Sequence, residues 1–343
     1  MGWHAMIWQF KNRWQATKVG VCPFCSAQSQ GDSLLYTEVG SNASWRPTIF
    51  TDLAAWAEAV LPQDDLCPLL GLPGFAIDTL KMCSMHNVNL GIAQICNGSS
   101  LVTLVLGGFY GNPNDSIAVN FRRAYRHFQA WRKSKRVNIT QGVWKYAMYQ
   151  VIEVIKANGL VCMTHKAFNG RVLAHYFADV LAEALTSAEF PSDSTLRFAA
   201  ACMAHLAKFF YLLEVSGRYL TEARAEEIYQ TGLAFMRCHL QLTSMAMQSL
   251  RHLPSGQALF LWTLRPKLHY LEHQLIDLRR TRLNLRHHHC YTDEDGMRWL
   301  KQISRKVKRK GFEHAVLRIS RLRLSLAPLK ARSLNESARK RNK

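Results

Sequence analysis

The sequence predicts a mostly helical protein. Three observations support this fold class: apolar residues recur at helical spacing, capping residues precede several of these stretches, and Pro or Gly follows them. Residues 168–187 illustrate the spacing, because one helical face collects their apolar residues: Leu173, Phe177, Val180, Leu181 and Ala184. From residue 85 onward almost the whole chain has this character, and hydrophobic residues (48%) are ample for a buried core.

The N-terminal region, residues 1–80, carries weaker helical signals. Residues 21–50 are rich in turn-forming residues and include a pair of cysteines, Cys22 and Cys25. Asp52 can cap a short helix that follows it, because an aspartate side chain accepts hydrogen bonds from the free N–H groups of a first helical turn. We therefore treat this part of the chain as a separate region defined by the cysteine pair.

Successive helices are predicted along the rest of the chain. Thr221 can cap a long helix, and Gly217 can end the helix before it. The predicted helices span 90–109, 116–134, 142–157, 168–187, 191–215, 221–250, 256–262, 267–280, 293–309 and 312–326. After residue 80 the chain divides into three predicted regions. Residues 81–290 form a predominantly helical domain, residues 291–326 form C-terminal helices that begin at an acidic stretch, and residues 327–343 form a basic disordered tail.

One predicted helix lies in a segment without formal charge. No Asp, Glu, Lys or Arg occurs between Met82 and Asn114, which raises the question of a membrane span. The segment carries many amide and hydroxyl side chains, among them Asn87, Asn89 and Gln94, and a lipid-exposed helix rarely does. We therefore expect a buried core helix and no membrane partner.

The chain is strongly basic, with 44 Lys and Arg against 24 Asp and Glu and a formal net charge of +20. The excess is concentrated near the C-terminus, where residues 301–343 contain 15 Lys and Arg against Glu313 and Glu336. Such an asymmetry is typical of proteins that bind a polyanion, and nucleic acid is the partner that we expect. The alternative is a solvated helix face followed by a frayed tail.

A basic run within this region is the candidate contact to nucleic acid. Its cations can pair with phosphates and can also serve as a nuclear import signal, so we expect a nuclear protein. They are Arg305, Lys306, Lys308, Arg309 and Lys310. Secretion is not expected, because the N-terminus lacks a signal peptide and nine irregularly spaced cysteines favour a reducing compartment.

The cysteine pair has the C-x2-C spacing of a zinc ligand pair. Two thiolates at this spacing in a turn can hold one side of a tetrahedral zinc ion, and two more ligands must then come from elsewhere. The candidates are Cys83 with His86, which share a helix face, and the run 287–290. The alternative is a structural or vestigial pair, with Cys83 and His86 as ordinary structural residues. A thioredoxin-type role is disfavoured because no βαβ pattern surrounds the pair.

An acidic stretch, Asp293 to Asp295, interrupts the most basic part of the chain. At a helix N-terminus such carboxylates are stabilised by the helix dipole, which is one interpretation. The other is a magnesium site for phosphodiester chemistry, in which clustered carboxylates hold two ions beside the scissile phosphate. One acidic cluster cannot do this alone, so the second interpretation requires partners from elsewhere in the fold.

Several sequence blocks occur in an order and spacing that resemble a known family. The blocks are VCPFCSA, SWRPTIFT, PLLGLPGF, CSMHNVNLGIAQ, KAFNGRVLAHYFADV, WTLRPKLHYLEH and CYTDEDGM. Together they cover roughly residues 20–325 and are similar to transposase-derived proteins, abundant in some protist genomes, of the Plavaka and Kyakuja/Dileera/Zisupton DDE type. The resemblance implies a small α/β part, namely a partial RNase H-like core interrupted by a large helical insertion. It also implies metal-dependent cleavage and transfer of DNA strands.

The chain departs from the family pattern at two catalytic acids. The family motif D-x-x-H…LG aligns on Cys83 to His86, so Cys83 stands where the family has an aspartate. Another acid would precede the cysteine pair, and no Asp or Glu occurs before Asp32. The third acid falls among Asp293, Glu294 and Asp295, which this sequence keeps. Because hard cations prefer oxygen ligands and a thiol binds magnesium poorly, the resemblance implies a chain without strand-transfer activity.

These observations lead to one main hypothesis and two alternatives. The main hypothesis is a degenerate transposase-like protein of mobile-element origin that binds nucleic acid, with DNA as the expected partner and structural zinc as the expected cofactor. The first alternative is an active metal-dependent DNA nuclease or transposase that uses Glu294 and Asp295 and requires magnesium. The second is a helical protein-interaction module. The sequence indicates neither a DNA target nor an oligomeric state.

Overall fold

The computed structural model of the protein describes residues 21–60, 68–112, 115–137, 154–188, 193–289, 305, 311–319 and 321–322. The chain forms two compact units, residues 1–289 and residues 290–343. Helices dominate the described part of the first unit, which confirms the predicted mostly helical fold class. In the second unit, residues 312–319 form a helix that lies within the predicted helix 312–326.

The described part of the first unit consists of α-helices, one π-helix and one hairpin. The α-helices are α1 (Leu53–Val60), α2 (Ala93–Leu106), α3 (Ile117–Ser134), α4 (Ala167–Thr186), α5 (Ser194–Val215), α6 (Glu222–Gln248) and α7 (Pro266–Thr281). The π-helix, Met85–Ile92, leads directly into α2. Strands β1 (Arg251–His252) and β2 (Ala258–Leu259) pair in antiparallel orientation. Short 3-10 turns lie at Arg46–Thr48, Pro68–Gly71, Ile77–Thr79 and Leu285–His287.

Two helices of the first unit begin at the capping residues that the sequence predicts. Asp52 Oδ1 accepts a hydrogen bond from the N–H of Ala55 at 2.8 Å and begins α1. Thr221 Oγ1 accepts from the N–H of Arg224 at 3.2 Å and begins α6. Helix α5 begins slightly later than predicted, because Asp193 supplies its cap. These signals are local in sequence, which is why they are visible without the fold.

The helix predicted over 256–262 is wrong. These residues contain β2, which pairs with β1 across a turn formed by Pro254 and Gly256. Gly256 has a φ of +82°, a left-handed backbone conformation that closes the turn. An apolar stretch this short has the same composition in a buried strand and in a helix, so its pattern could not distinguish them.

Two predicted helices fall largely outside the described residues. The helix predicted over 293–309 has only Arg305 in the described part, and the helix predicted over 142–157 has only its last four residues there. In those four, Ile155 forms a β-bridge with Val161 rather than continuing a helix.

The hairpin of β1 and β2 is the only paired sheet among the described residues, so the RNase H-like core stays a prediction.

Helices α4, α5 and α6 form the centre of the hydrophobic core, with α5 packed against both of its neighbours. Helix α2 packs on α4, and α7 packs on α6 and on the π-helix. Buried phenylalanines from three helices meet in this core: Phe177, Phe209 and Phe235. Helix α7 contributes the fully buried Leu271, Leu275 and Leu278 to the same core. This packing fixes α7, and the polar side chains that it carries, in one orientation.

The uncharged segment lies inside the fold. The π-helix and α2 together span Met85–Leu106, and 89% of their most apolar window is buried. Helix α5 is likewise long and apolar enough to cross a membrane, with 56% of its window buried. Polar side chains of the segment bond internally: Asn87 Nδ2 donates to Gln274 at 2.8 Å, and Ser99 Oγ accepts from the Trp262 N–H at 2.8 Å. Burial within the protein therefore accounts for the apolar composition, as expected of a core helix.

Two glycines with nearly equal backbone angles allow a matched test of the packing around the hairpin. Gly159 (φ +79°) and Gly256 (φ +82°) both occupy the left-handed region, but a Cβ on Gly159 would overlap the carbonyl oxygen of Ala258, whereas a Cβ on Gly256 would meet nothing within 4 Å. We expect Gly256→Ala to lower the free energy of unfolding by about 1 kcal/mol, the backbone cost alone. We expect Gly159→Ala to lower it by about 3 kcal/mol, because overpacking adds to that cost. Urea denaturation of both variants measures the difference, and equal losses would contradict the close approach at Gly159.

Candidate metal centre

Four potential metal ligands from the two ends of the first unit meet in one buried cluster. Cys22 and Cys25 come from the N-terminal loop, and His269 and His273 come from α7. The four ligand atoms, one from each side chain, all lie within 4.8 Å of one another. The cysteines are fully buried, and the histidines are 1% and 9% exposed. We call this group the Cys2His2 cluster.

Local structure explains how each pair presents its ligand atoms. The CPFC segment turns so that the N–H of Phe24 donates to Cys22 Sγ at 3.3 Å, which directs both thiols to the same side of the loop. His269 and His273 are four residues apart on α7, so their imidazoles lie one above the other on one helix face. Pro266 sits in the first turn of α7, where its missing N–H costs nothing.

The distances between the ligand atoms can be compared with those of a tetrahedral zinc site. Cys25 Sγ lies 3.3 Å from Nε2 of each histidine, and Cys22 Sγ lies 3.4 Å from His273 Nε2. The two Nε2 atoms are 3.1 Å apart. Tetrahedral zinc with Zn–S and Zn–N bonds of about 2.3 Å and 2.0–2.1 Å requires ligand separations of about 3.3–3.8 Å. These four separations lie at or just below that range, and the other two are at most 4.8 Å, so small shifts of the side chains would let the four atoms enclose such an ion.

Two members of the cluster, Cys25 and His269, are held in the protonation state that binds a metal ion, whereas Cys22 has to lose a proton on binding. Burial raises the pKa of Cys22 well above its usual value, and the hydrogen bond with Cys25 adds to this. Burial acts on Cys25 in the same direction, but hydrogen bonds from Cys22, His269 and His273 outweigh it and lower the pKa of Cys25 to about 3. Burial lowers the pKa of His269, which keeps its imidazole neutral. A thiolate and a neutral imidazole are the forms that bind a metal ion.

Aromatic side chains shield the cluster from water. The indole of Trp45, itself fully buried, meets the His269 ring edge-on at 4.3 Å and lies 5.0 Å from the His273 ring. The Tyr270 hydroxyl donates to the carbonyl of Val21 at 2.6 Å and ties α7 to the loop that carries the cysteines. An apolar enclosure of this kind favours a structural site over one that is open to substrate.

A buried ion pair adjoins the two histidines. Glu272, between them on α7, has a fully buried side chain and accepts from Arg46 Nη2 at 2.5 Å and from the Gly40 N–H at 2.8 Å. Arg46 also donates to the Tyr229 hydroxyl at 3.0 Å, and so reaches α6. The N-terminal loop is therefore attached to α7 at two adjacent points, the Cys2His2 cluster and this ion pair.

With the geometry in place, the chain can be compared with known proteins. No family model, curated protein or solved structure matches it. The function of the chain must therefore be inferred from its own residues, and the transposase resemblance of the sequence blocks stays a hypothesis.

The structure brings Cys22 and Cys25 together as predicted, but with different partners from those expected. Cys83 and His86 are not members of the Cys2His2 cluster; Cys83 Sγ instead lies 3.3 Å from His86 Nδ1, and both side chains are partly exposed. The described part of the run 287–290 is not in the cluster either. The reason is that α7, rather than the π-helix, lies across the cysteine loop.

The completing histidines carried a signal that the sequence analysis missed. His269 and His273 form an H-x3-H pair, and with the C-x2-C pair this is a recognised zinc-ligand pattern. Here 243 residues separate Cys25 from His269, far more than in a compact finger. The pattern is therefore not recognisable as one motif until the fold brings its halves together.

The remaining predicted site residues lie in the second unit. Arg305 is exposed in a turn. The acidic residues Glu294 and Asp295 and the cations Lys306, Lys308, Arg309 and Lys310 lie outside the described residues. The magnesium interpretation of the acidic stretch therefore stays a prediction.

A cleft of about 620 Å³ opens beside the Cys2His2 cluster, with His273 in its wall. Its cations are matched by acids: Lys81 pairs with Asp277 at 2.6 Å, and Arg280 pairs with Asp78 at 2.8 Å. The cleft therefore offers little net positive charge to a polyanion, in spite of the basic character of the whole chain.

Proposed function

We propose that the chain is a zinc-stabilised, DNA-binding relative of DDE transposases that acts in the nucleus and does not catalyse strand transfer. The observation that carries the proposal is the charge distribution: a net charge of +20, most of it in residues 301–343. A polyanion is the partner that such a distribution attracts, and DNA is the polyanion that a transposase-like protein meets.

An exposed basic face on α3 supports DNA binding in the first unit. Phe121, Ala124 and Phe128 are buried on one side of this helix. Arg122, Arg126 and Lys133 are exposed and share the opposite face at helical spacing, and α3 contains no acidic residue. Eleven residues separate the first and last of these cations, a distance of about 16 Å along the helix. That length is sufficient to face several phosphates of a duplex, which carries one charge per about 1.7 Å of axis.

The ligand set of the Cys2His2 cluster supports zinc as the resident metal. Two sulfur and two nitrogen donors in a tetrahedron are typical of Zn²⁺, and four protein ligands leave no open position for a substrate or a reactive water. The role that we propose is structural. The ion would hold the cysteine loop, and Trp45 with it, against α7.

The residue at the family's aspartate position supports the absence of strand transfer. Cys83 contacts His86 there, and a sulfur ligand does not replace the carboxylate that a magnesium ion requires. The RNase H-like ancestry remains part of the proposal, because it depends on the sequence blocks alone.

The test is DNA affinity as a function of salt, measured by fluorescence anisotropy with a labelled duplex of arbitrary sequence. We expect the affinity to fall by roughly 10³ between 50 and 200 mM salt, since about six phosphate contacts produce such a slope. In a variant with glutamine at the five cations of the basic run, the slope of the logarithm of affinity against the logarithm of salt concentration should be smaller by about four. Those cations are Arg305, Lys306, Lys308, Arg309 and Lys310.

The matched control replaces cations of the first unit that are also exposed but lie away from α3: Arg197, Lys208 and Arg218. We expect this control to bind nearly as the wild type does. Absence of binding at 50 mM salt would contradict the proposal, and an unchanged slope in the five-fold variant would contradict the role of the basic run. Cleavage of the duplex in Mg²⁺ or Mn²⁺ that Glu294→Gln abolishes would establish the nuclease alternative instead.

A further inference from the structure

A second group of metal-binding side chains lies in the helical core, far along the chain from the cysteine loop. Cys96 on α2, Cys202 on α5 and His239 on α6 place one ligand atom each within 4.8 Å of the others. Cys96 Sγ lies 3.5 Å from His239 Nδ1. Both thiols are fully buried and the imidazole is 2% exposed. We call this group the Cys2His cluster; it shares no residue with the Cys2His2 cluster.

The imidazole in this cluster is held in place by its neighbours. The His239 ring meets the Trp262 ring edge-on at 6.2 Å and lies 6.1 Å from the Phe235 ring. The backbone of Trp262 is itself fixed, because its main-chain N–H donates to Ser99 Oγ and its carbonyl accepts from Thr243 Oγ1 at 2.6 Å. Three ligand atoms on three packed helices therefore converge in a preformed arrangement, which lowers the entropic cost of binding an ion.

The chemistry of the cluster is that of a soft metal site. Its members are two thiols and one imidazole, without a carboxylate, and such ligands select Zn²⁺ and Cu⁺ over the hard cations. Burial disfavours the Cys96 thiolate, but the hydrogen bond with Cys202 and the charge of His239 outweigh burial and lower the pKa of Cys96 to about 6. The pKa of Cys202 is raised, chiefly by burial.

We propose that Cys96, Cys202 and His239 bind a second metal ion, Zn²⁺ or Cu⁺, which joins α2, α5 and α6 at the centre of the fold. The ion enters during folding, because the finished core buries all three ligands. The described residues provide three protein ligands, one fewer than structural zinc normally has. That number suits Cu⁺, which is stable with three ligands, and it suits Zn²⁺ only with one further donor.

The test is metal content per chain, measured by mass spectrometry on protein purified under reducing conditions from cells supplied with zinc or with copper. We expect about two ions per chain in the wild type, since each closed site retains its ion through purification. Cys202→Ser should lose one ion. The matched control is Cys162→Ser, which removes a partly buried thiol that belongs to neither cluster, and it should lose none.

Cys25→Ser separates this inference from the proposed zinc site. That variant should lose the ion of the Cys2His2 cluster and keep the ion of the Cys2His cluster. Equal metal content in the wild type and in Cys202→Ser would overturn the second site, whichever metal the first one holds. If Cys202→Ser does not fold, Cys25→Ser provides the test. About one retained ion per chain in that variant supports the second site, and a variant without a retained ion overturns it. The copper and zinc cultures identify the metal, because the site takes up the ion that it prefers while the chain folds.

Discussion

Replacing Cys25 by alanine should remove one zinc ion per chain and lower the free energy of unfolding by several kcal/mol. Cys25 contacts both histidines of the Cys2His2 cluster, so its loss leaves the ion with three ligands and an open side. Structural zinc contributes about 10–16 kcal/mol of apparent binding free energy in zinc-finger peptides, and a three-ligand site would retain only part of it. Urea denaturation and metal analysis of the same samples measure both effects.

A matched control separates the loss of the metal from the loss of a thiol. Cys162 is partly buried and belongs to neither metal cluster, so Cys162→Ala should keep the zinc and lose at most about 1 kcal/mol. A strong chelator added to the wild-type protein should reproduce the instability of Cys25→Ala. If Cys25→Ala and Cys162→Ala unfold alike, or if the chelator has no effect, the Cys2His2 cluster does not stabilise the fold through a metal.

The second large effect is expected at Glu272. Its carboxylate is fully buried and accepts from Arg46, so Glu272→Ala leaves the arginine without its charge partner. Removing one partner of a buried ion pair lowers the free energy of unfolding by about 3–5 kcal/mol. Glu226→Ala is the control, because Glu226 forms an exposed pair with Arg279 at 2.6 Å, and exposed pairs contribute at most about 1 kcal/mol. Equal losses in the two variants would contradict the importance of the buried pair.

The Arg46–Glu272 pair as a whole should contribute less to the free energy of unfolding than the loss in Glu272→Ala suggests. Burial raises the pKa of Glu272 in spite of the bonds from Arg46 and Gly40, so ionising this carboxyl costs more in the folded state than in the unfolded state. This contribution of Glu272 therefore favours folding more at low pH and less as the pH rises through the raised pKa. Replacing both partners together, as in Arg46→Met with Glu272→Leu, should recover much of the stability that Glu272→Ala loses.

The helical part of the fold is visible in the sequence because its signals are local. The apolar face of α4 recurs at helical spacing, and the caps at Asp52 and Thr221 lie within three residues of the N–H groups that they accept from. The hairpin of β1 and β2 is different. Its strands are two residues long, and their pairing depends on contact between segments that have no repeating pattern of their own.

Only the cysteine half of the candidate metal centre could be predicted from the sequence. The spacing of Cys22 and Cys25 indicates a ligand pair, because two thiols in a tight turn can reach one ion. The choice of His269 and His273 over Cys83 and His86 depends on which helix lies across the cysteine loop. Both candidate pairs have spacings that place them on one helix face, so spacing alone could not decide between them.

By itself, the sequence determined the helical class, the basic C-terminal region and the first two members of the candidate metal centre. Each of these is a property of neighbouring residues or of composition. Only the tertiary structure decided that α7 completes the Cys2His2 cluster, and that Cys96, Cys202 and His239 meet in the core. The physical reason is that candidate ligand atoms far apart along the chain converge only when helices pack, and packing is set by apolar surfaces that do not involve these atoms.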